Sequence, residues 1–270
     1  MNTLLIFGLG YSGRAVADSA VDFIVAATTR SIDPSVGGNA VLQPIVSQGA
    51  IDAQESQAAA PSRAIEMVPF AAAEAAIADA THILVTAPPG ADGDPVLNRY
   101  ADAIATAPAL RWIGYLSSTV VYGDRGGAWV DEATPPAPSQ PRGHRRLEAE
   151  LAWSRFAARY AIDLFRLAGI YGPGRSAFDD LRSGTARRMN KPGHQFGRIH
   201  RDDIGRAIAV AMQQMRDPGV RVLNLVDDVP VESAAVVTEA ARLLGLSPPP
   251  ETAFADALPA MSPMARSFWA

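Results

Sequence analysis

The sequence contains no cysteine, and Lys191 is its only lysine. The lack of cysteine excludes disulfides, thiolate metal ligands and cysteine nucleophiles, and it fits a reducing compartment such as the cytoplasm. Because lysine occurs once, any mechanism that needs a lysine has a single candidate. Nearly all of the positive charge is therefore carried by arginine, which stays protonated at neutral pH.

Long apolar runs and a strong excess of charge are also missing. The N-terminal apolar run, residues 4–7, ends at Gly8, so we expect neither a signal peptide nor a membrane span. The formal net charge of -4 over 270 residues gives no general attraction for nucleic acid or for an anionic membrane. The four histidines are scattered, and their spacing predicts no metal site.

Short apolar segments alternate with helical patterns along the chain. The predicted strands are residues 4–7, 23–28, 82–86, 112–117, 163–167 and 221–225. The predicted helices start near residue 14 or cover residues 71–79, 100–107, 145–160, 204–215 and 233–244. Residues 31–70 show no clear period, and only residues 40–46 favour an extended conformation. This alternation predicts an α/β fold, a Rossmann-type doubly wound parallel sheet covered by helices on both faces.

The length of the chain allows one large domain or two unequal ones. We predict a dinucleotide-binding Rossmann domain over residues 1–165. Residues 166–270 are predicted to form a smaller, mainly substrate-binding part that is interleaved with the first.

The segment GLGYSG, residues 8–13, fits the G-x-G-x-x-G pattern of a dinucleotide-binding turn. The first glycine allows the turn, the second lets the backbone approach a pyrophosphate, and the third lets the helix pack on the strand. A glycine turn with a purely structural role is the alternative. The predicted cofactor contacts are Gly8, Leu9, Gly10, Tyr11, Ser12, Gly13, Thr29, Arg30, Ala87, Pro88, Ser117 and Leu167.

The end of the second predicted strand indicates which dinucleotide binds. An acidic residue there would bind the ribose hydroxyls of NAD, whereas this chain has Thr29 followed by Arg30. A guanidinium can pair with the 2′-phosphate of NADP through two hydrogen bonds. We therefore predict NADP in preference to NAD, with a merely solvated Arg30 as the alternative.

Three segments, read together with the glycine turn, resemble the extended short-chain dehydrogenases/reductases, the group that includes nucleotide-sugar epimerases and dehydratases. The segments are residues 115–123 (YLSSTVVYG), 165–174 (FRLAGIYGPG) and 198–204 (RIHRDDI). Together with Asn224 they cover most of the chain. In that family the first segment carries a Ser or Thr that hydrogen-bonds the reacting oxygen, and the resemblance places Ser118 at this position.

The catalytic Tyr-x-x-x-Lys pair of that family is absent. In the family the lysine lowers the tyrosine pKa, and the tyrosine transfers a proton to or from the substrate oxygen as hydride moves. The matching stretch has Arg142 and Arg146 instead, and arginine cannot transfer a proton at neutral pH. The resemblance implies that Arg146 holds the nicotinamide ribose and that Arg142 acts as an electrostatic clamp on an anionic substrate group. The chain thus resembles the atypical members, many of which keep the cofactor fold without the standard chemistry.

Other side chains are candidates for the missing proton donor. Tyr122 and Tyr171 lie in the family segments, and His144 and His200 titrate near neutrality. For the two tyrosines a packing role is the alternative, and for His200 a structural role at a helix start is favoured.

Basic residues without an acidic neighbour lie between Arg182 and Arg201. They indicate either a substrate that carries phosphate or carboxylate, or a hydrated basic surface. Relative to the family, the chain is expected to be short at its C-terminal end. The apolar residues Phe268 and Trp269 need cover, so the tail folds back, a partner covers it, or further sequence follows.

The sequence thus predicts a cytoplasmic, NADP-preferring oxidoreductase or epimerase-like enzyme that acts on a small anionic or sugar-like molecule. Its predicted catalytic residues are Ser118, Arg142 and Arg146, and a homodimer is the expected assembly. The alternative is a non-catalytic NAD(P)-binding sensor or scaffold, because the proton-transferring tyrosine is missing.

Overall fold

The structure, a computed structural model, describes residues 1–29 and 64–262 together with Arg266 and Trp269. Its strands are β1 (Asn2–Phe7), β2 (Phe23–Thr29), β3 (Glu66–Pro69), β4 (His82–Val85), β5 (Trp112–Ser118), β6 (Ala161–Leu167), β7 (Gly169–Tyr171), β8 (Arg188–Asn190), β9 (Arg198–His200), β10 (Gly219–Leu225) and β11 (Glu251–Ala253). Its helices are α1 (Tyr11–Ser19), α2 (Glu74–Asp79), α3 (Pro95–Thr106), α4 (Pro141–Ser154), α5 (Ala177–Arg182), α6 (Arg201–Gln213), α7 (Ser233–Leu243) and α8 (Phe254–Ala257). Arg30 and the extended segment expected at residues 40–46 lie outside the described residues.

Seven strands form one parallel sheet in the order β3-β2-β1-β4-β5-β6-β10. The strand order reverses between β1 and β4, where Phe7 pairs with Val85 on one side and with Thr28 of β2 on the other. In a doubly wound sheet, the crevice at the carboxyl ends of the strands beside this reversal is the usual ligand site. The predicted Rossmann-type parallel sheet is confirmed.

Helices cover both faces of the sheet. One buried cluster joins the sheet to Val16 of α1 and Ile208 of α6. The other joins it to Ile77 of α2, Ile104 of α3 and Trp153 of α4. The central strands β1, β4, β5 and β6 are buried on both faces over most of their length, which explains the continuous apolar runs in the sequence.

The C-terminal part of the chain contributes to the main sheet and forms the two small sheets. β10 pairs with β6 in the main sheet, and α6 packs against α1. Two small parallel sheets, β7 with β9 and β8 with β11, lie outside the main sheet. The domain boundary after residue 165 stays a prediction. It was predicted together with an interleaving of the two parts, and β10 and α6 are elements from after residue 165 that pack with the first part.

Helix α3 begins five residues earlier than the sequence pattern indicates, because Asp94 caps it. The Asp94 Oδ1 accepts hydrogen bonds from the Val96 and Leu97 amides at 2.9 and 3.1 Å, and Pro95 occupies the first helical position. The other carboxylate oxygen accepts from the Trp153 indole nitrogen at 3.1 Å. One buried carboxylate therefore fixes the start of α3 and its contact with α4.

A histidine is buried inside the sheet. His82 is 3% exposed, and its Nε2 lies 3.1 Å from the carbonyl oxygen of Met212. Burial, and then the charge of Arg111, lower the pKa of His82 from its usual 6.5 to about 4. The folded protein therefore keeps this imidazole neutral at pH values where the unfolded chain protonates it.

This pKa predicts how stability depends on pH. Between pH 6.5 and 4 the unfolded state binds a proton at His82 that the folded state does not, so the free energy of unfolding falls as the pH is lowered. The contribution of His82 is up to about 3 kcal/mol across that range. Urea unfolding at several pH values should show that the free energy of unfolding falls less between pH 6.5 and 4 in His82→Gln than in the wild type. His144→Gln, at an exposed histidine, should match the wild type. Parallel curves for the wild type and His82→Gln would contradict this assignment.

Candidate functional site

The glycine turn between β1 and α1 leaves its middle open. Gly8 has a φ of +103°, and its carbonyl accepts a hydrogen bond from Thr86 Oγ1 at 2.6 Å. A Cβ at Gly13 would lie 2.5 Å from the Gly8 carbonyl oxygen, so this glycine allows α1 to lie directly on the turn. A Cβ at Gly10 would meet no atom within 4 Å. The three glycines thus have the geometry that the motif predicts: a turn, an open approach and a close contact.

The first turn of α1 favours an anion. Gly10 is its N-cap, no side chain caps the helix, and no acidic residue lies in its first turn. Its amides and its positive dipole end therefore face the space above Gly10. The Tyr11 ring lies between two guanidinium groups, 5.9 Å from Arg175 and 5.1 Å from Arg201, and its hydroxyl donates to the Pro173 carbonyl at 3.0 Å.

A cleft of about 800 Å³ opens from this turn along the carboxyl ends of β4, β5 and β6. Eight of the predicted site residues line it: Gly10, Tyr11, Ser12, Ser117, Ser118, Arg142, Arg146 and Leu167. Six others do not line it: Gly8, Leu9, Gly13, Thr29, Ala87 and Pro88. Of these, Gly8 and Gly13 shape the turn. The predicted catalytic residues and much of the predicted cofactor site therefore share one cavity.

Ser118 is the last residue of β5, and its hydroxyl accepts a hydrogen bond from the Val120 amide at 3.4 Å. The preceding residue, Ser117, is buried and donates to Glu150 Oε1 at 2.5 Å. Adjacent side chains on a strand point to opposite faces, so Ser117 anchors the strand to α4 while Ser118 is the less buried of the two.

A buried ion pair lies beneath this strand end. Arg166 donates to both oxygens of Glu150, at 3.1 and 2.8 Å, and its guanidinium carbon lies 4.8 Å from the centre of the Tyr122 ring. The Tyr122 hydroxyl donates to Asn224 Oδ1 at 2.8 Å. This contact favours the packing role for Tyr122. Sequence reasoning missed Glu150 and Arg166, because only the fold brings α4 beside β6.

Arg142 and Arg146 lie one turn apart on α4 and both line the cleft. Arg146 is 8% exposed, and its Nη1 donates to the Leu116 carbonyl at 2.7 Å and to the Tyr115 hydroxyl at 3.1 Å. Arg142 is half-buried, and burial together with the nearby charges of Arg146, Arg145 and Arg175 lowers its pKa. The two arginines thus bring positive charge to the place where the family has its Tyr and Lys.

The other candidate proton donors have structural surroundings. His200 is the N-cap of α6, and its Nδ1 accepts from the Asp202 amide at 3.2 Å, so the histidine and not the aspartate caps this helix. Burial and a hydrogen bond to Asp227 raise the pKa of Tyr171. His144 is exposed, and none of these three side chains lines the cleft.

The basic residues between Arg182 and Arg201 include some that bind other groups of the protein and some that line the cleft. Arg188 Nη2 lies 2.7 Å from Glu251, and Arg198 donates to backbone carbonyls. Lys191 and His194 line the cleft. The cleft also contains Arg175 and most of the loop at residues 123–130, which the sequence analysis did not assign to it. The three glycines of that loop, which adopt a positive φ, were its only signal in the sequence.

The C-terminal tail folds back at Trp269. Its ring stacks on His194 and Phe254, with ring centres 5.7 and 5.4 Å apart, and meets Phe196 edge to face at 4.9 Å. Its carbonyl accepts a hydrogen bond from Lys191. Trp269 is therefore covered by the wall of the cleft, the first of the three outcomes expected for the tail.

Two negative observations apply to the described residues. In the part of the chain that the structure describes, no three His, Asp or Glu side chains are grouped to hold a metal ion. Among the described helices, none is long and apolar enough to cross a bilayer.

Comparison with solved structures defines the class of fold. MoeE5, solved in complex with UDP-glucose and NAD, is 20% identical with a TM-score of 0.67; the match covers 93% of this chain and 85% of MoeE5. The dTDP-glucose 4,6-dehydratase of Bacillus anthracis, solved in complex with NAD, is 14% identical with a TM-score of 0.67, over 95% of this chain and 86% of that enzyme. The fold is the extended short-chain dehydrogenase/reductase fold of NAD-dependent epimerases and dehydratases, as expected.

Two further proteins share more of their sequence with this chain. A conserved protein of unknown function from Silicibacter pomeroyi is 38% identical, with a TM-score of 0.80, over 100% of this chain and 87% of that protein. This chain belongs to the family of that protein. Protein YeeZ of Escherichia coli (strain K12) is 32% identical over 180 residues, which are 64% of this chain and 63% of YeeZ. The match thus spans less than two thirds of the curated relative, and no protein-family profile matches the chain.

Proposed function

We propose that this protein binds NADP(H) and acts in the cytoplasm as an oxidoreductase or epimerase-like enzyme on a small anionic or sugar-like molecule. One observation carries the proposal. The turn at residues 8–13 leaves the space above Gly10 open, at the end of a cleft that also contains Ser118 and Arg142. The binding of NAD by MoeE5 and by the dehydratase, on the same fold, supports it.

The residues of the turn fit a dinucleotide. The amides at the start of α1, next to Gly10, would hold the pyrophosphate, because nothing in the described structure fills that space. Arg146 would hold the nicotinamide ribose, and Arg30 would pair with a 2′-phosphate. The bound nicotinamide would supply a hydride donor or acceptor.

The side chains of this chain would bind and orient the substrate. The Ser118 hydroxyl can donate a hydrogen bond to the reacting oxygen of the substrate. Arg142 can stabilise negative charge on that substrate, whereas it cannot accept a proton at neutral pH. The role of these residues is therefore orientation and electrostatic stabilisation.

A non-catalytic NAD(P)-binding sensor is the second candidate. The observation that favours it concerns Tyr122, a tyrosine that lines the cleft. Tyr122 is 2% exposed and donates its hydroxyl proton to Asn224, so it has no obvious access to a substrate. A protein of this kind would bind the dinucleotide and report its presence without turnover.

The open space at Gly10 predicts a selective effect of a side chain. Gly10→Val should weaken NADPH binding at least tenfold by calorimetry and leave the thermal unfolding midpoint near that of the wild type, because its Cβ meets no protein atom. Gly13→Val should lower the unfolding midpoint instead, because its Cβ would collide with the Gly8 carbonyl. Wild-type protein that binds no NADPH, or unchanged affinity in Gly10→Val, would refute the proposed cofactor site.

The preference for NADP is expected to depend on Arg30. Arg30→Asp should reduce the ratio of NADP to NAD affinity by about tenfold or more, because a carboxylate repels the 2′-phosphate and binds the ribose hydroxyls. Arg242→Asp, the same charge change at an exposed arginine of α7, should leave the ratio unchanged. Equal ratios in Arg30→Asp and the wild type would show that Arg30 does not read the 2′-phosphate.

Ser118→Ala separates the enzyme from the sensor. NADPH oxidation should be measured with a panel of sugar nucleotides, sugar phosphates and small keto acids. An enzyme should show turnover that falls about 10- to 100-fold in Ser118→Ala at unchanged NADPH affinity, since one hydrogen bond to the reacting oxygen is lost. Ser183→Ala, at an exposed serine, is the control. Near-zero rates in all three proteins would favour the sensor.

A further inference from the structure

Two arginines and one glutamate are buried together at the end of β5. Arg146, Glu150 and Arg166 are 8%, 2% and 4% exposed, and another buried carboxylate, Asp94, accepts hydrogen bonds from the start of α3 and from Trp153. Both oxygens of Glu150 are bound by Arg166, and one of them also accepts from Ser117. Among the described residues, no carboxylate forms a salt bridge with Arg146. A buried cation without a counter-charge is costly, so an anion in contact with it would stabilise the folded protein.

Arg146 also has an unused donor. Arg146 Nη1 donates to the Leu116 carbonyl and to the Tyr115 hydroxyl, which are both neutral groups. Its Nε is buried and has no hydrogen-bond partner. An unpaired buried N–H is costly, and of the described arginines with such a nitrogen only Arg146 lines the cleft, where a ligand can accept from it.

The helix that carries Arg146 adds to the positive potential. Arg142 and Arg146 lie in the first two turns of α4, whose N-terminus has no side-chain cap and no acidic residue in its first turn. The helix dipole is positive at this end, so cations here are unfavourable unless an anion is bound between them. Burial, and then the charges of Arg146, Arg145 and Arg175, lower the pKa of Arg142.

The rest of the cleft does not neutralise this charge. Arg175 and Lys191 also line it. Asp124 is the only acidic residue among the described lining residues, and its Oδ1 accepts from the Gly126 amide. The cleft as a whole is therefore electropositive.

We infer that the floor of the cleft is an oxyanion-binding subsite, in which Arg142 and Arg146 bind a carboxylate or phosphate group of the substrate beside Ser118. This inference assigns Arg146 to the substrate in place of the nicotinamide ribose. The planar guanidinium groups match the paired oxygens of either group. This inference rests on the proposed function for the identity of the ligand as substrate, and it selects an anionic substrate over a neutral sugar. The phosphates of the dinucleotide are the other source of such a group, and the experiment separates the two.

The probe is inorganic phosphate, with malonate as the carboxylate equivalent, titrated calorimetrically into protein saturated with NADP and into nucleotide-free protein. We expect saturable binding of phosphate, malonate or both, with similar affinity in the two preparations. Arg142→Gln and Arg146→Gln should each weaken it at least tenfold. Arg145→Gln, at the neighbouring arginine of α4 that does not line the cleft, should bind as the wild type does and controls for general charge effects.

Three results would overturn the subsite: binding of neither probe, equal binding by the wild type and both variants, or displacement of the probes by NADP. Displacement would assign the arginines to the phosphates of the cofactor. Because Arg146 is buried and its variant can lose stability, Arg142→Gln at the half-buried position provides the test in a protein whose fold is checked by circular dichroism. Failure of NADP to bind, with arginine-dependent phosphate binding retained, would refute the proposed cofactor and leave the anion subsite intact.

Discussion

Helix α1 is held in place by two contacts that exclude a side chain, one at each side of the helix. At its start, a Cβ on Gly13 would lie 2.5 Å from the Gly8 carbonyl. Farther along, Gly205 of α6 approaches so closely that its Cβ would lie 2.5 Å from the Ala15 carbonyl. The helix therefore cannot move closer to the glycine turn or to α6, and its N-terminus lies at the reversal of strand order. The rest of the cleft is arranged around this fixed positive end.

The opposite wall of the cleft is fixed by charge. Glu150 binds Arg166 and Ser117, and thus ties α4 to β5 and β6 in a region with little exposure to water. In comparable proteins, removing one partner of a buried pair costs about 3–5 kcal/mol, because the remaining charge is left without a partner. The pair therefore holds the helix that carries Arg142 and Arg146 at a constant distance from the strand end at Ser118.

The sequence was most informative where a local pattern has only one structural solution. The glycine spacing at residues 8–13 predicted a turn whose three glycines have the expected surroundings. The alternating apolar segments predicted the parallel sheet. Contacts between distant parts of the chain could not be read in the same way: the strand at residues 66–69 is short and half-exposed, and its pairing with β2 gives no periodic signal. For the same reason Glu150 had no visible partner, since Arg166 lies 16 residues away on a different element.

The two arginines of α4 change the chemistry of the site without changing its position. In the related family a tyrosine and a lysine four residues apart face the cleft, and here Arg142 and Arg146 occupy the same helical face. The proposed role of this pair is to bind charge, because a guanidinium binds oxyanions strongly and does not release its proton. Arg146 differs from the other described arginines with a buried unpaired nitrogen, Arg166, Arg188 and Arg216, because each of those forms a salt bridge with a carboxylate. The proposed dinucleotide turn and the proposed anion subsite thus lie at two ends of one cavity, so the proposal expects a ligand that carries negative charge next to Ser118.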